Sequence, residues 1–268
     1  MRQPFLPNRG TAKVVVGMVH LLPLPGAPFW GGSMQAVLDS AMRDALALQE
    51  GGVDGIMVEN YGDTPFLPAS VHTTTIAALT TALVEIRRSI TIPVGVNVLR
   101  NDAKAALSIA AATGAAFIRV NVHTGAMLTD QGWISGEAHE TLRLRSQLGL
   151  STAILADVFV KHATPPQGLT IEDAALDTWE RGHADALIVT GSGTGRATDP
   201  DDARRVKAVL SDAPVLVGSG LTLDNAASLL AHADGAIVGS ALKETGRADA
   251  AVSKERVSQL IDVVRKLN

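Results

Sequence analysis

The feature that most constrains the fold of this 268-residue chain is the regular recurrence of short runs rich in Val and Ile. There are eight such runs, and they predict strands near 14–20, 54–59, 93–98, 116–122, 153–158, 185–190, 214–218 and 235–239. Most of these runs are apolar almost throughout, which is typical of strands buried on both faces of a parallel sheet.

Amphipathic segments alternate with these strands. They predict helices over 34–50, 72–90, 102–113, 136–148, 171–181, 200–210, 223–231 and 253–267. Strict alternation of strands and helices over a chain of about 250 residues indicates an α/β fold, a (β/α)8 TIM barrel. No linker divides the chain, so we expect a single domain over residues 1–268. A doubly wound open sheet is the alternative architecture.

Composition excludes several classes of protein. The chain has no cysteine, which excludes a disulfide scaffold, a thiolate metal site and a cysteine nucleophile. Its 23 basic and 27 acidic residues give a net charge of −4 without a basic block, so we expect no nucleic-acid partner. The sequence shows neither a signal peptide nor an apolar run long enough to span a membrane, so we expect no membrane insertion and a cytoplasmic location.

The last three predicted strands end in loops rich in Gly, Ser and Thr. Loops of this kind let backbone N–H groups approach an anion, and TIM barrels often bind phosphate after their last strands. The predicted phosphate-binding residues are Gly191, Ser192, Gly193, Thr194, Gly195, Gly218, Ser219, Gly220, Gly239 and Ser240. The alternative is that these glycines only permit tight turns.

Polar residues stand at the carboxyl ends of the first five predicted strands, where barrel enzymes carry their chemistry. The candidate catalytic residues are His20, Glu59, Asn97, Arg119, Asn121, His123 and Asp157. Because strand side chains alternate, Arg119, Asn121 and His123 are expected to share one face. Glu59 and Asp157 are the expected charge partners and the candidates for acid/base work, and the histidines can move a proton or polarise a substrate.

Metal binding and Schiff-base formation are two further possible functions of the residues at the same strand ends. Glu59 and Asp157, with a histidine, are also candidate ligands for a divalent metal, although no metalloprotease-type spacing is present and no other cofactor is predicted. Lys161 follows Asp157 closely and would form a Schiff base if it were buried.

Aromatic residues are scarce and gather in a few loops. Phe29, Trp30, Tyr61 and Phe66 follow the first two strands, and Trp133 follows the fourth. Their concentration predicts a binding surface at one rim of the barrel, either a lid over a ligand or a face that meets a partner. Self-association into a homo-oligomer is an expectation from the same apolar loops.

Eight strand-end phrases resemble those of one known family. They are GMVHLLPLPGAP, GVDGIMVENYGDTPF, PVGVNVLRNDAKAAL, FIRVNVHTGAMLTDQG, ILADVFVKHA, IVTGSGTG, PVLVGSGLT and GAIVGSALK, and they span about 13–246. Together they closely resemble the BtpA family, which includes SgcQ-like proteins. The resemblance implies a TIM barrel of the phosphate-binding type, and the family name refers to photosystem I biogenesis. It brings no established catalytic residues.

Two hypotheses for the function follow. The first is an enzyme that acts on a small phosphorylated metabolite, a sugar phosphate or phosphoribosyl compound, by isomerisation, epimerisation, lyase cleavage or glycosyl-bond cleavage. The second is a non-catalytic assembly or regulatory factor that binds a partner through the aromatic rim. The concentration of ionisable residues at the strand ends favours the enzyme, because a scaffold gains nothing from buried charges.

Overall fold

The computed structural model describes residues 2–4, 12–191 and 198–267. In this part of the chain, eight parallel strands form a closed barrel. They are β1 (Val14–His20), β2 (Gly55–Glu59), β3 (Val94–Asn97), β4 (Phe117–Val120), β5 (Ala153–Asp157), β6 (Ala186–Val189), β7 (Val215–Val217) and β8 (Gly235–Val238). Each strand pairs with the next along the chain, and β8 pairs with β1. The predicted (β/α)8 barrel is therefore confirmed, and the open sheet is excluded.

Helices separate consecutive strands and surround the barrel. They are α1 (Met34–Glu50), α2 (Thr73–Ser89), α3 (Ala103–Thr113), α4 (Ala138–Gln147), α5 (Ile171–Leu176), α6 (Pro200–Val209), α7 (Ala226–Leu230) and α8 (Lys254–Arg265). Ser33, Thr170 and Asp199 begin α1, α5 and α6, and their side chains accept hydrogen bonds from backbone N–H groups of the first turn. Within the described ranges, no helix combines the length and the apolar character that a membrane crossing requires.

Strand side chains alternate between two apolar layers. One face of the strands packs against the helices, and the other fills the barrel interior with residues such as Met57, Phe117 and Leu155. Gly95 makes room for the ring of Phe117, since a Cβ atom at this position would lie 2.1 Å from the ring atom Cδ2. The barrel is therefore a packed core, and a polar cavity is confined to its end.

A small antiparallel sheet, absent from the sequence-based prediction, lies beyond β4 and β5. Its strands are Ala126–Thr129, Gly132–Ser135 and Ala163–Thr164. They enclose a small cluster of buried side chains, Val122, Met127, Ile134 and Val160. The strands are short and half-exposed, and they join loops distant in sequence, so local hydrophobic periodicity did not reveal them. The sheet holds the loops after β4 and β5 together at the carboxyl end of the barrel.

Candidate active site

Five polar side chains from consecutive strands meet at the carboxyl end of the barrel. The strand register places His20 opposite Glu59, Glu59 opposite Asn97, and Asn97 opposite Arg119. Asp157, the last residue of β5, is hydrogen-bonded to Arg119. The structure thus brings together most of the predicted catalytic residues, which arrive at one place because parallel strands end at the same edge.

Arg119 and Asp157 form a buried, bidentate ion pair. Arg119 donates from Nε to Asp157 Oδ2 at 3.0 Å and from Nη2 to Oδ1 at 2.8 Å, and Asn121 Nδ2 donates to Oδ2 at 3.1 Å. Burial raises the pKa of the Asp157 carboxyl, and the charge of Arg119 acts against this effect. Burial also disfavours the charged guanidinium, but attraction to Asp157 outweighs it and raises the pKa of Arg119. Asp157 is therefore occupied in holding Arg119 and Asn121.

Glu59 has a different environment, although it is equally buried at 3% exposure. Asn97 Nδ2 donates to Glu59 Oε2 at 2.6 Å, and the other oxygen, Oε1, lies 4.0 Å from Nε2 of His20. Among the described residues, no lysine or arginine forms an ion pair with Glu59, in contrast to Asp157. Glu59 therefore differs from Asp157, whose carboxylate is held by a guanidinium.

His20 is a neutral imidazole in this structure. Its Nδ1 lies 3.0 Å from the carbonyl oxygen of Ala248, and because a carbonyl only accepts, Nδ1 carries the proton. Burial lowers the pKa of His20 to about 4, against the attraction of Glu59. The ring of Tyr61 stacks on the imidazole with the ring centroids 4.5 Å apart. The unprotonated Nε2 and the Glu59 carboxylate thus present two proton acceptors side by side.

A cavity of about 450 Å³ opens beside Glu59. Its lining comes from the ends of β2 to β5 and from the hairpin after β4: Glu59, Tyr61, Thr64, Phe66, Leu99, Arg100, Asn121, Asp130, Lys161 and His162. Two buried side-chain oxygens at this end of the barrel, Asn97 Oδ1 and Asn121 Oδ1, have no hydrogen-bond partner among the described residues. Of these two side chains, Asn121 also lines the cavity.

Arg100 and Asp130 belong to this cavity although neither was a predicted site residue. Arg100 follows β3 and donates from Nη2 to the backbone oxygen of Lys161 at 2.7 Å. Its position directly after a predicted strand was a usable signal. Asp130 lies at the turn of the hairpin. Because this hairpin was not predicted from the sequence, no sequence pattern placed Asp130 at the cavity.

His123 does not join the other candidate residues. Beyond Val120 the chain leaves the strand, so the expected alternation with Arg119 and Asn121 no longer holds. His123 Nε2 lies 2.8 Å from the carbonyl oxygen of Gly182, which follows the short π-helix Asp177–Arg181 after α5. Burial lowers the pKa of His123. The expected alternation therefore ends at Val120, and His123 Nδ1 is a buried atom without a hydrogen-bond partner among the described residues. A catalytic role of His123 stays a prediction.

The predicted phosphate-binding loops lie after β6, β7 and β8. Gly191 N donates to Ser219 Oγ at 2.9 Å, which joins the first two loops. The predicted residues Ser192, Gly193, Thr194 and Gly195 lie outside the described residues. Gly218 is enclosed by side chains, since a Cβ atom there would lie 2.5 Å from Ile188 Cγ2.

A second cavity, of about 540 Å³, separates the loops after β7 and β8. Gly220, Thr222 and Ser240 line it together with Arg256, which reaches it from α8. The Arg256 guanidinium donates from Nε to the backbone oxygen of Ala241 at 3.0 Å. Two of the predicted loops therefore share a cavity with an exposed arginine that the loop sequences did not indicate, and the carboxylate side chain of Asp224 also lines this cavity.

The Gly239 loop also contacts His20. A Cβ atom at Gly239 would lie 3.1 Å from Cε1 of His20, so this glycine permits a close approach to the imidazole. His20 is therefore in contact with a predicted phosphate loop on one side and near Glu59 on the other.

The arrangement of Glu59 and Asp157 does not fit a metal ion bound by both carboxylates. Asp157 is already bound bidentately by Arg119, and a cation there would have to displace the guanidinium. In the part of the chain that the structure describes, no three His, Cys, Asp or Glu side chains are grouped so that they could hold a metal.

The aromatic residues of the rim divide into two groups. Tyr61 and Phe66 line the cavity beside Glu59, where they would face a ligand. Phe29 and Trp133 are 69% and 61% exposed and face outward. Trp30 is partly buried against the main core.

Comparison with known proteins agrees with the resemblance in the strand-end phrases. The model of the BtpA family matches residues 11–266. The chain belongs to the BtpA family. The family includes the photosystem I biogenesis protein BtpA of Synechocystis sp., which is 46% identical over 254 residues, 95% of this chain and 88% of that protein. The sgc region protein SgcQ of Escherichia coli is 36% identical over 261 residues, 96% of each chain.

Solved structures share the barrel architecture of this BtpA-family chain. Phosphoribosyl anthranilate isomerase from Thermus thermophilus matches with a TM-score of 0.59 at 13% identity, over 95% of this chain and all of the other. Tryptophan synthase from M. tuberculosis matches with a TM-score of 0.58 at 22% identity, over 95% of this chain and 93% of the other. At these identities the likeness shows the fold alone.

Proposed function

We propose that this BtpA-family protein is an enzyme that acts on a small phosphorylated carbonyl metabolite, such as a sugar phosphate or phosphoribosyl compound. The main observation in support of the proposal is that two buried carboxylates at the carboxyl end of the barrel have different partners. Asp157 is bound by Arg119, whereas Glu59 faces the cavity beside a neutral histidine. Two carboxylates held in different environments are typical of sites that divide acid/base and positioning work.

Glu59 is the proposed base. Isomerisation, epimerisation and many carbon–carbon lyase reactions begin with removal of a proton close to a carbonyl group. Asn97 orients the Glu59 carboxylate through its 2.6 Å hydrogen bond, and His20 Nε2 accepts a proton or a hydrogen bond from a substrate hydroxyl. Asn121, which lines the cavity and is held by Asp157, orients the polar end of the substrate, and Arg119 holds Asp157 in place.

The loops after β7 and β8 are the proposed site of the phosphate group. They combine small residues, a cavity and the Arg256 guanidinium, and Gly239 brings one of them against His20. The link between this loop region and Glu59 is His20, which is close to Gly239 and to the Glu59 carboxylate. Backbone N–H groups and an arginine are the groups that phosphate recognition requires.

A ligand screen followed by turnover of the ligands found tests the proposal. Phosphorylated sugars and phosphoribosyl compounds should raise the melting temperature, because a ligand that binds only the folded state stabilises it. Glu59→Gln should then lower kcat by about 10²-fold or more while the fold and ligand binding persist. The matched control is Glu85→Gln, which alters an exposed carboxylate on α2.

Two results would count against the enzyme. If no phosphorylated compound raises the melting temperature, the substrate class is wrong. If a bound compound is turned over equally by wild type and by Glu59→Gln, the acid/base assignment is wrong. Ser219→Asp tests the phosphate end separately, because a carboxylate introduced beside Gly191 should repel a phosphate.

A second candidate function rests on the outward-facing aromatics. Phe29 and Trp133 expose large apolar surfaces at the rim, as a partner-binding protein would. A relative in the family is named a photosystem I biogenesis protein. A non-catalytic role would leave the melting temperature unchanged by every metabolite, while Trp133→Ser would weaken partner binding. The buried polar cluster around Glu59 favours the enzyme.

A further inference from the structure

Lys161 is an ionisable residue of the cavity beside Glu59 to which the proposed acid/base scheme gives no role. Its side chain lines the cavity and is half-buried. Among the described residues, its Nζ atom has neither a hydrogen bond nor an ion pair. The negative charges of Glu59 and Asp157 act on Lys161, but neither carboxylate is hydrogen-bonded to its Nζ atom. The hydrogen bonds of Glu59 and Asp157 go to Asn97 and Arg119.

The backbone around Lys161 is fixed on both sides. Val160 is 4% exposed and packs into the small cluster beneath the antiparallel sheet. Ala163–Thr164 pairs with the strand Ala126–Thr129. The carbonyl oxygen of Lys161 accepts a hydrogen bond from Arg100 Nη2 at 2.7 Å. A lysine on such a support presents its amine from a defined position, although it belongs to a loop.

The electrostatic surroundings favour the neutral amine. Burial is the main effect that lowers the pKa of Lys161, and the neighbouring positive charges of Arg119 and Arg100 act in the same direction. Glu59 and Asp157 oppose them. A lysine that is desolvated beside other cations is the form in which an amine becomes a nucleophile.

We infer that Lys161 is a nucleophile that condenses with the carbonyl group of the substrate to form an imine. This inference rests on the proposed function, and it narrows the substrate to a ketone or aldehyde that enters the cavity beside Glu59. The neutral Nζ attacks the carbonyl carbon, and the carbon–oxygen π electrons move to the oxygen, which takes the proton that the nitrogen gives up. The hydroxyl group of the resulting carbinolamine takes a second proton from solvent and leaves as water when the nitrogen lone pair forms the C=N bond, and the product is a protonated imine.

An imine on Lys161 would explain why the proposed base, Glu59, lines the same cavity. A protonated imine accepts the electron pair of an adjacent C–H or C–C bond more readily than a ketone does. Glu59 lines the same cavity and would take the proton released from the neighbouring carbon or hydroxyl group. Water then hydrolyses the imine and regenerates the amine, so no oxidant or reductant is needed in the cycle.

Reductive trapping tests the inference on the intact protein. The probes are dihydroxyacetone phosphate and, without the phosphate, dihydroxyacetone. Borohydride should convert the imine to a stable secondary amine, and peptide mass spectrometry should place the adduct on Lys161. Lys161→Met and Lys161→Arg should lose the adduct. The matched control is Lys254→Met, which removes an exposed lysine paired with Glu50 at 2.9 Å and should keep it.

The outcomes separate this inference from the proposed function. If dihydroxyacetone phosphate raises the melting temperature of wild type and Lys161→Arg alike and no adduct forms, Lys161 only holds an anion. The imine is then refuted while phosphate binding stands. If only dihydroxyacetone is trapped on Lys161, the imine stands and the phosphate assignment fails. Trapping by neither probe, or equal trapping on Lys254, refutes the inference whatever the thermal shift shows.

Discussion

The neutral state of His20 leads to a measurable dependence of stability on pH. Burial lowers the pKa of His20 in the folded protein from 6.5 to about 4. Between these values the unfolded chain binds a proton that the folded protein does not bind, so acidification favours unfolding. The stability associated with His20 is complete near neutral pH and is lost as the pH falls through this window.

The magnitude follows from the two pKa values. The free energy of unfolding should fall by about 2 kcal/mol from this residue between about pH 7 and about pH 5. Below both values the loss should reach about 3 kcal/mol. Burial also lowers the pKa of His123, which contributes in the same direction. The contribution of His20 therefore has to be obtained as a difference between variants.

The assay compares wild type with His20→Gln by urea unfolding at both pH values. Glutamine has no charge to gain, so the variant should lose about 2 kcal/mol less on acidification than wild type does. His139→Gln, at an imidazole that is 66% exposed, should follow wild type. NMR titration of the His20 ring gives the pKa directly. If wild type and His20→Gln lose equal stability, the imidazole is not held neutral by burial, and its assignment as a proton acceptor fails.

Three further predictions concern the stability of the folded protein: two change buried ion pairs, and one changes the packing of a loop. Asp157→Asn should lower the free energy of unfolding by about 3–5 kcal/mol, because it leaves the Arg119 guanidinium buried without its charge partner; a loss below about 1 kcal/mol in urea unfolding would contradict this. Asp44→Asn should cost a similar ~3–5 kcal/mol, since Lys243 is 1% exposed and its Nζ lies 2.7 Å from the Asp44 carboxylate. An unchanged unfolding midpoint would show that this pair is not important for stability. Gly218→Ala should cost about 1–3 kcal/mol, because its Cβ would lie 2.5 and 2.6 Å from side chains at the end of β6. A melting temperature equal to that of wild type would mean that the turn can relax.

Most of the barrel could be predicted from local patterns. The strand near 54–59 is observed at Gly55–Glu59, and that near 153–158 at Ala153–Asp157. Both are buried on two faces, so their residues are apolar in succession, a pattern that can be recognised without knowledge of neighbours. The antiparallel sheet was missed because it forms between Ala126–Thr129 and strands from two different loops.

The candidate site could be predicted as a set of residues but not as a set of contacts. His20, Glu59 and Asn97 end consecutive strands, and parallel pairing places such residues together. His123 fulfilled the same sequence criterion and lies elsewhere, because the chain turns after Val120 and alternation holds only inside a strand.

The sequence by itself determined the order of strands and helices, the barrel and the polar character of one barrel end. These properties follow from the period of hydrophobic residues, which each segment carries locally. Only the tertiary structure decided that Asp157 is paired with Arg119, that Glu59 forms no ion pair with a lysine or arginine of the described residues, and that Lys161 faces the same cavity. Charge state and pairing depend on distances between side chains that are 38 or more residues apart in sequence and on the water that burial excludes, and no local pattern encodes either.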